Sequence, residues 1–114
     1  MPQVYNYNHL MDRDTLLKEV KEAIREIEPT AEVVLYGSRA RGDSSTGSDW
    51  DFLILVDGPV DDERVDRIRH RLYEIEWASG QILSSIVRSR QQWSSHPLRD
   101  TPFHRNVELE GITL

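Results

Sequence analysis

The sequence predicts a small α/β domain in which a β-sheet is flanked by helices. Two short apolar runs, Glu32 to Tyr36 and Phe52 to Val56, read as strands covered on both faces. Around them lie segments with apolar residues at helical spacing, opened by acidic or hydroxyl residues and closed by Gly or Pro. The length of 114 residues suits one modest core, so a single domain over residues 1–114 is expected.

The elements follow in order. A first helix starts at Asp12 or Asp14, whose carboxylates suit a helix N-terminus. Leu16, Leu17, Val20, Ala23, Ile24 and Ile27 form its apolar face, and Pro29 lies just beyond its end. After the two strands, Gly58-Pro59 breaks the chain and Asp61 or Asp62 caps a second long helix. Val65, Ile68, Leu72 and Ile75 are its inward stripe. Arg64, Arg67, Arg69 and Arg71 surround that stripe and read as a solvated face balanced by nearby acids, rather than as a binding patch. Trp77 and Ala78 are expected to pack near the helix end, which Gly80 closes. A third strand covers Ile82 to Val87. Ser89 caps a short helix over Arg90-Gln91-Gln92-Trp93. Thr101 caps another, with Pro102 in its first turn and Gly111 as the stop. Phe103, Val107 and Leu109 are expected to pack inward from it.

The chemistry lies between the first two strands. Val33-Val34-Leu35-Tyr36 runs into Gly37-Ser38, and a polar loop leads to Asp49-Trp50-Asp51 and the second strand. A Gly-Ser turn offers backbone N–H groups and a hydroxyl to phosphate oxygens. Residues two apart in a strand point to the same side, so Asp49 and Asp51 project together while Trp50 turns away. Two carboxylates that close repel, and a divalent cation between them resolves the conflict. Magnesium commonly takes one or two carboxylates plus substrate phosphates. A D-x-D at a strand start is, alone, most often a solvated turn; the Gly-Ser turn at this separation favours the metal reading. Arg39 and Arg41 flank the turn and can neutralise charge building on a triphosphate, or else pair with Asp43 or Asp49. Ser48 is expected to brace the loop, and Tyr36 to belong to the core rather than to stack on a base.

The segment resembles the signature of the minimal nucleotidyltransferases of the DNA polymerase beta superfamily, which carry G-S, a spacer, then D-x-D. The likeness is close over residues 31–57 and extends to the order of elements elsewhere, including the Glu-Gly-Ile ending. It implies a small mixed β-sheet flanked by helices, the palm-like nucleotidyltransferase fold. It also implies transfer of a nucleoside monophosphate, usually AMP from ATP, with Mg2+. Carried over, Gly37 and Ser38 hold the triphosphate, and Asp49 and Asp51 are catalytic residues and metal ligands. Active members usually add a third carboxylate from a later strand. Ser84 stands at that place here, and a serine hydroxyl is a poor metal ligand and a weak base. The usual partner of such proteins is a small helical HEPN-type RNase toxin. The nucleotidyltransferase acts on it as antitoxin by attaching AMP or by binding.

Composition narrows the partners. Lys and Arg total 14 against 20 Asp and Glu, a formal charge of −6, which argues against a nucleic-acid partner held by phosphate contacts. Cysteine is absent, which excludes disulfides and thiolate zinc sites. No stretch has the length of a membrane span and the N-terminus lacks a signal-peptide core, so a cytoplasmic location is expected. His9, His70, His96 and His104 show no metal-ligand spacing and default to the surface. A chain this size carries no second substrate domain, so another protein or a second copy is expected to complete the site. Three readings stay open: an adenylyltransferase acting on a protein partner as antitoxin, a non-catalytic nucleotide- or partner-binding module, and a small-molecule nucleotidyltransferase.

Overall fold

The computed structural model of the chain describes residues 12–45 and 47–114; His9 and Thr46 lie outside them. Helix α1 spans Arg13–Ile27, and its N-cap is Asp12, whose carboxylate accepts from the Thr15 amide. Strand β1 spans Glu32–Tyr36, and a four-residue helix α2, Ser38–Arg41, follows the Gly37 turn. Strand β2 spans Trp50–Val56, two residues longer at its start than the apolar run suggested. Helix α3 spans Asp62–Ser79 with Asp61 as N-cap and Gly80 as left-handed C-cap. Strand β3 covers Leu83–Ser89, shifted toward the C-terminus relative to the expected Ile82 to Val87. Helix α4, Arg90–Trp93, opens with a reciprocal capping box between Ser89 and Gln92. A short 3-10 turn, Leu98–Asp100, leads to helix α5, Pro102–Glu110, capped by Thr101. The last element, strand β4 at Ile112–Thr113, was not foreseen.

The four strands form one mixed sheet in the order β3-β2-β1-β4. Strand β1 is antiparallel to both β2 and β4, and β2 runs parallel to β3. The parallel pair is the β2-α3-β3 crossover, which places α3 on one face of the sheet. Leu16, Val20 and Ile24 of α1 and Ile68 and Leu72 of α3 pack there against Val33, Leu35, Phe52, Ile54 and Val87. Phe52 is fully buried in this layer, and truncating such a residue to alanine costs about 3–5 kcal/mol. The other face holds a smaller cluster in which Trp93, Phe103 and Val107 cover Val34, Leu53 and Leu55. Gly111 makes the final turn possible, because a Cβ there would stand 2.6 Å from the Val107 carbonyl oxygen and 2.7 Å from Val34.

Three of the four arginines of α3, Arg64, Arg67 and Arg71, are drawn into ion pairs. Arg64 donates to Glu28 through Nε at 2.7 Å and Nη2 at 2.6 Å, which ties the end of α1 to the start of α3. Arg67 faces Glu63, and Arg71 bridges Glu26 and Glu74. Two inward placements are corrected. Trp77 is 92% exposed and Leu109 is 77% exposed. Position decides both: α3 meets the sheet through Ile68, Leu72 and Ile75, and α5 through Phe103 and Val107. Trp77 and Leu109 fall off those stripes. Among the described residues no helix is long and apolar enough to cross a membrane.

Candidate functional site

The site is built where β1 ends and β2 begins. Strand β1 delivers the chain to Gly37 with φ +78° and ψ −161°, a backbone conformation open essentially to glycine alone. The turn brings the Gly37 backbone against the carboxylate of Asp51. A Cβ on Gly37 would lie 2.5 Å from Asp51 Oδ2, closer than any side chain tolerates. Gly37 is therefore required by its dihedral angles, and a Cβ there would also push the tip of the Asp51 side chain aside. Ser38 starts α2, and Gly42, left-handed at φ +86°, ends it.

Register sets the other neighbours. Asp51 stands opposite Tyr36 on β1 and opposite Ser84 on β3. Partners in adjacent strands share a face, so Tyr36, Asp51 and Ser84 form one row across the sheet. Trp50 belongs to the opposite face, where it joins the α1–α3 core. Asp49 lies one residue before β2 and is exposed, whereas Asp51 is half-buried. Burial raises the Asp51 carboxyl above its ordinary pKa, and repulsion from Asp49 raises it further. Tyr36, partly buried beside Asp51 and edge-on to Phe103, is also raised, mainly by burial.

The loop between the glycine turn and the aspartates is held by its own polar groups. Arg39 donates through Nη2 to the Ser48 carbonyl at 3.0 Å, and its guanidinium lies 4.3 Å over the Trp50 ring. Arg13 donates to the Arg39 carbonyl, and Gln81 accepts from the Trp50 indole N–H at 3.0 Å. Ser48 braces the loop as expected, its hydroxyl accepting from the Ser45 amide. Arg41 pairs with Asp43 at 3.1 Å and approaches Glu110 at 3.9 Å. The structure thus brings Gly37, Asp51 and Ser84 together, with Asp49 at the rim. It sets Arg39 against Trp50 and Arg41 at the surface. The parts not anticipated are Arg13 and Gln81, which anchor the loop from other elements. Their contacts span 26 and 31 residues of sequence and leave no local pattern.

The donor set suits a hard divalent cation. Asp51, raised by burial and by the neighbouring Asp49 charge, stands against the Gly37 backbone, and magnesium needs little more from protein than one or two carboxylates when phosphates supply further oxygens. Among the described residues no group of three or more His, Asp or Glu is assembled, which agrees with serine at position 84.

A mixed four-stranded sheet, flanked by helices, with a Gly-Ser turn facing a D-x-D across an antiparallel strand pair is the frame of the nucleotidyltransferase fold. Residues 17–101 match the family described as the nucleotidyltransferase domain, and the chain belongs to that family. The chemistry of its class is transfer of a nucleotidyl group. A search of curated proteins found no match.

Proposed function

We propose that this chain is a magnesium-dependent adenylyltransferase that moves AMP from ATP to a protein partner, and that it serves as the antitoxin of a small helical HEPN-type toxin. The observation that carries the reading is the contact between Gly37 and Asp51. It joins the Gly-Ser turn to Asp51 of the D-x-D pair inside a nucleotidyltransferase domain.

Gly37 and Ser38 hold the outer phosphates through backbone N–H groups and the serine hydroxyl. Asp49 and Asp51 would hold Mg2+ at this rim of the sheet. When bound, the cation would supply neutralisation of the charge that builds on the departing phosphates. Arg41, exchanging Asp43 for phosphate, neutralises further charge. Arg39 contributes through the loop it fastens to Trp50 and Ser48, which fixes the approach of Asp49. The acceptor hydroxyl of the partner attacks the α-phosphorus and gives its proton to water or to a carboxylate of the partner, while the bond from the α-phosphorus to the α–β bridging oxygen breaks and pyrophosphate leaves. The acidic charge of the chain supports a protein acceptor over a nucleic acid.

One observation favours a second reading. Ser84, in register with Asp51, stands where a third carboxylate would activate the acceptor. Without it the chain is a nucleotide-dependent binding module, unless the partner brings the missing acid. Label transfer from α-labelled ATP to the co-purified HEPN-type partner separates the two. Labelled partner that disappears with Asp49→Ala/Asp51→Ala establishes the enzyme. ATP binding with no transfer establishes the module.

A further inference from the structure

Strand β3 is an edge of the sheet among the described residues, with β2 on one side only. Its backbone groups alternate in direction. The Ile82 carbonyl accepts from the Trp50 amide, so the even-numbered residues address β2 and the odd-numbered ones address the open side. Two of those outward donors are already used. The Leu83 amide donates to Glu76 of α3 at 2.7 Å, and the Ser89 amide donates to the Gln92 side chain at 2.9 Å. The strand is thus closed at both ends, leaving a window at Ser85 and Val87. In the single chain the outward Val87 carbonyl accepts from Arg88 Nη1 at 2.8 Å, a contact that a pairing strand exchanges for its own amide and that frees the Arg88 side chain.

We propose that a second copy of this chain fills that window by antiparallel pairing of β3 with β3, centred on Ile86. A two-fold axis normal to the sheet must superpose like faces, so the centre falls on a residue. Centring on Ile86 pairs Ser85 with Val87 of the second copy and uses the outward groups of both. Centring on Ser85 would instead oppose Val87 to Leu83, whose amide is already spent on Glu76. The Ile86 register also sets the two half-buried Ile86 side chains against each other and keeps the two Arg88 apart.

Charge complementarity supports the same register. Arg88 is exposed and shares its sheet face with Ser84 and Asp51 by strand alternation. In the dimer Arg88 of the second copy stands opposite Ser84, two strand spacings or about 10 Å from the Asp51 backbone. An arginine and an aspartate together span that distance. The cation therefore arrives at the acidic pair, or at phosphates held there; this last role rests on the proposed function. The flank of the edge fits a covered surface as well. Tyr73 is 57% exposed and lines a trough of about 250 Å³ with Arg69, Leu83, Ser84 and Ser85. Trp77, one helical turn further on, lies on the same side of α3.

The test uses the absence of cysteine. Ile86→Cys places single thiols opposite each other in a non-hydrogen-bonded pair, where Cα atoms are about 4.5 Å apart and a disulfide closes. Light scattering should give twice the 13.3 kDa chain mass, and oxidised Ile86→Cys should cross-link while Ser85→Cys does not. Ser85→Pro, which removes an outward N–H and spares the β2 ladder, should yield a folded monomer by circular dichroism. Arg88→Glu should weaken the dimer about tenfold at low salt and less at high salt. A monomeric wild type overturns the proposal, whether its Ser85 and Val87 amides exchange fast or are protected by another segment of the chain. Cross-linking through Ser85→Cys alone overturns the register and with it the delivery of Arg88. A cross-linked dimer that fails to bind ATP would sink the nucleotide reading and leave the dimer standing.

Discussion

Replacing Gly37 by alanine probes the contact on which the site depends. Two costs add. The dihedral pair φ +78°, ψ −161° lies in a region nearly closed to side chains, at a cost of about 1–3 kcal/mol. The new Cβ would also stand 2.5 Å from Asp51 Oδ2 and 3.4 Å from its Cγ, so the carboxylate or the turn must shift. Together they place the loss at about 3 kcal/mol, and a domain of this size falls by about 4 °C per kcal/mol, so the melting temperature should drop by about 12 °C. Gly42→Ala is the control. Its φ is +86° but a Cβ there meets nothing within 4 Å, so only backbone strain of about 1 kcal/mol applies. Asp51→Ala removes the atoms that clash, and in that background Gly37→Ala should cost about 1 kcal/mol less. Thermal melts of the four single and combined variants complete the cycle. Equal melting temperatures for Gly37→Ala and Gly42→Ala, with no coupling to Asp51, would refute the contact as the reason for glycine.

Other expectations follow from the same geometry. Asp51 is raised in the folded state by burial and by Asp49, so the folded chain binds more protons than the unfolded one and stability falls as pH rises. Asp51→Asn should therefore be more stable than wild type at pH 7, and urea titrations should show the gap closing as pH falls toward the ordinary carboxylate value of 3.8. Ser84→Asp sets a third carboxylate beside Asp51; it should lower the melting temperature without metal and raise magnesium affinity, as a calorimetric titration would show. Arg64→Ala leaves the half-buried Glu28 without its bidentate partner and should cost about 2 kcal/mol in chemical denaturation. Arg64 holds Glu28 below its ordinary pKa by hydrogen bonding, so this contribution is present at neutral pH and should fade as pH falls through the carboxylate range.

Much of this architecture is written locally. Strand β1 is legible to the residue because its apolar run is continuous and bounded by Thr30 and Gly37. The caps Asp12, Asp61, Ser89 and Thr101 each act on an amide three residues ahead, a distance within reach of pattern reading. Strand β4 escaped because two residues carry no period, and its pairing with Val34 and Leu35 is a tertiary event. Trp77 and Leu109 escaped because apolarity alone does not say which helix face meets the sheet. At the site, the place of Ser84 beside Asp51 is legible from its spacing to the capping segment, whereas Asp49 lies one residue outside β2, where strand alternation no longer fixes its direction. The placement of Arg39 over Trp50 depends on a loop path that no local rule encodes.

Calorimetric titration of ATP with magnesium into the wild type and into Asp49→Ala/Asp51→Ala bears most directly on the nucleotide site proposed at Gly37, Ser38 and the two aspartates. Saturable heat that requires both magnesium and ATP, and that vanishes in a double variant at least as thermostable as the wild type, is the result the site predicts. Equal binding in the two proteins, or binding unchanged by removal of magnesium, would contradict it.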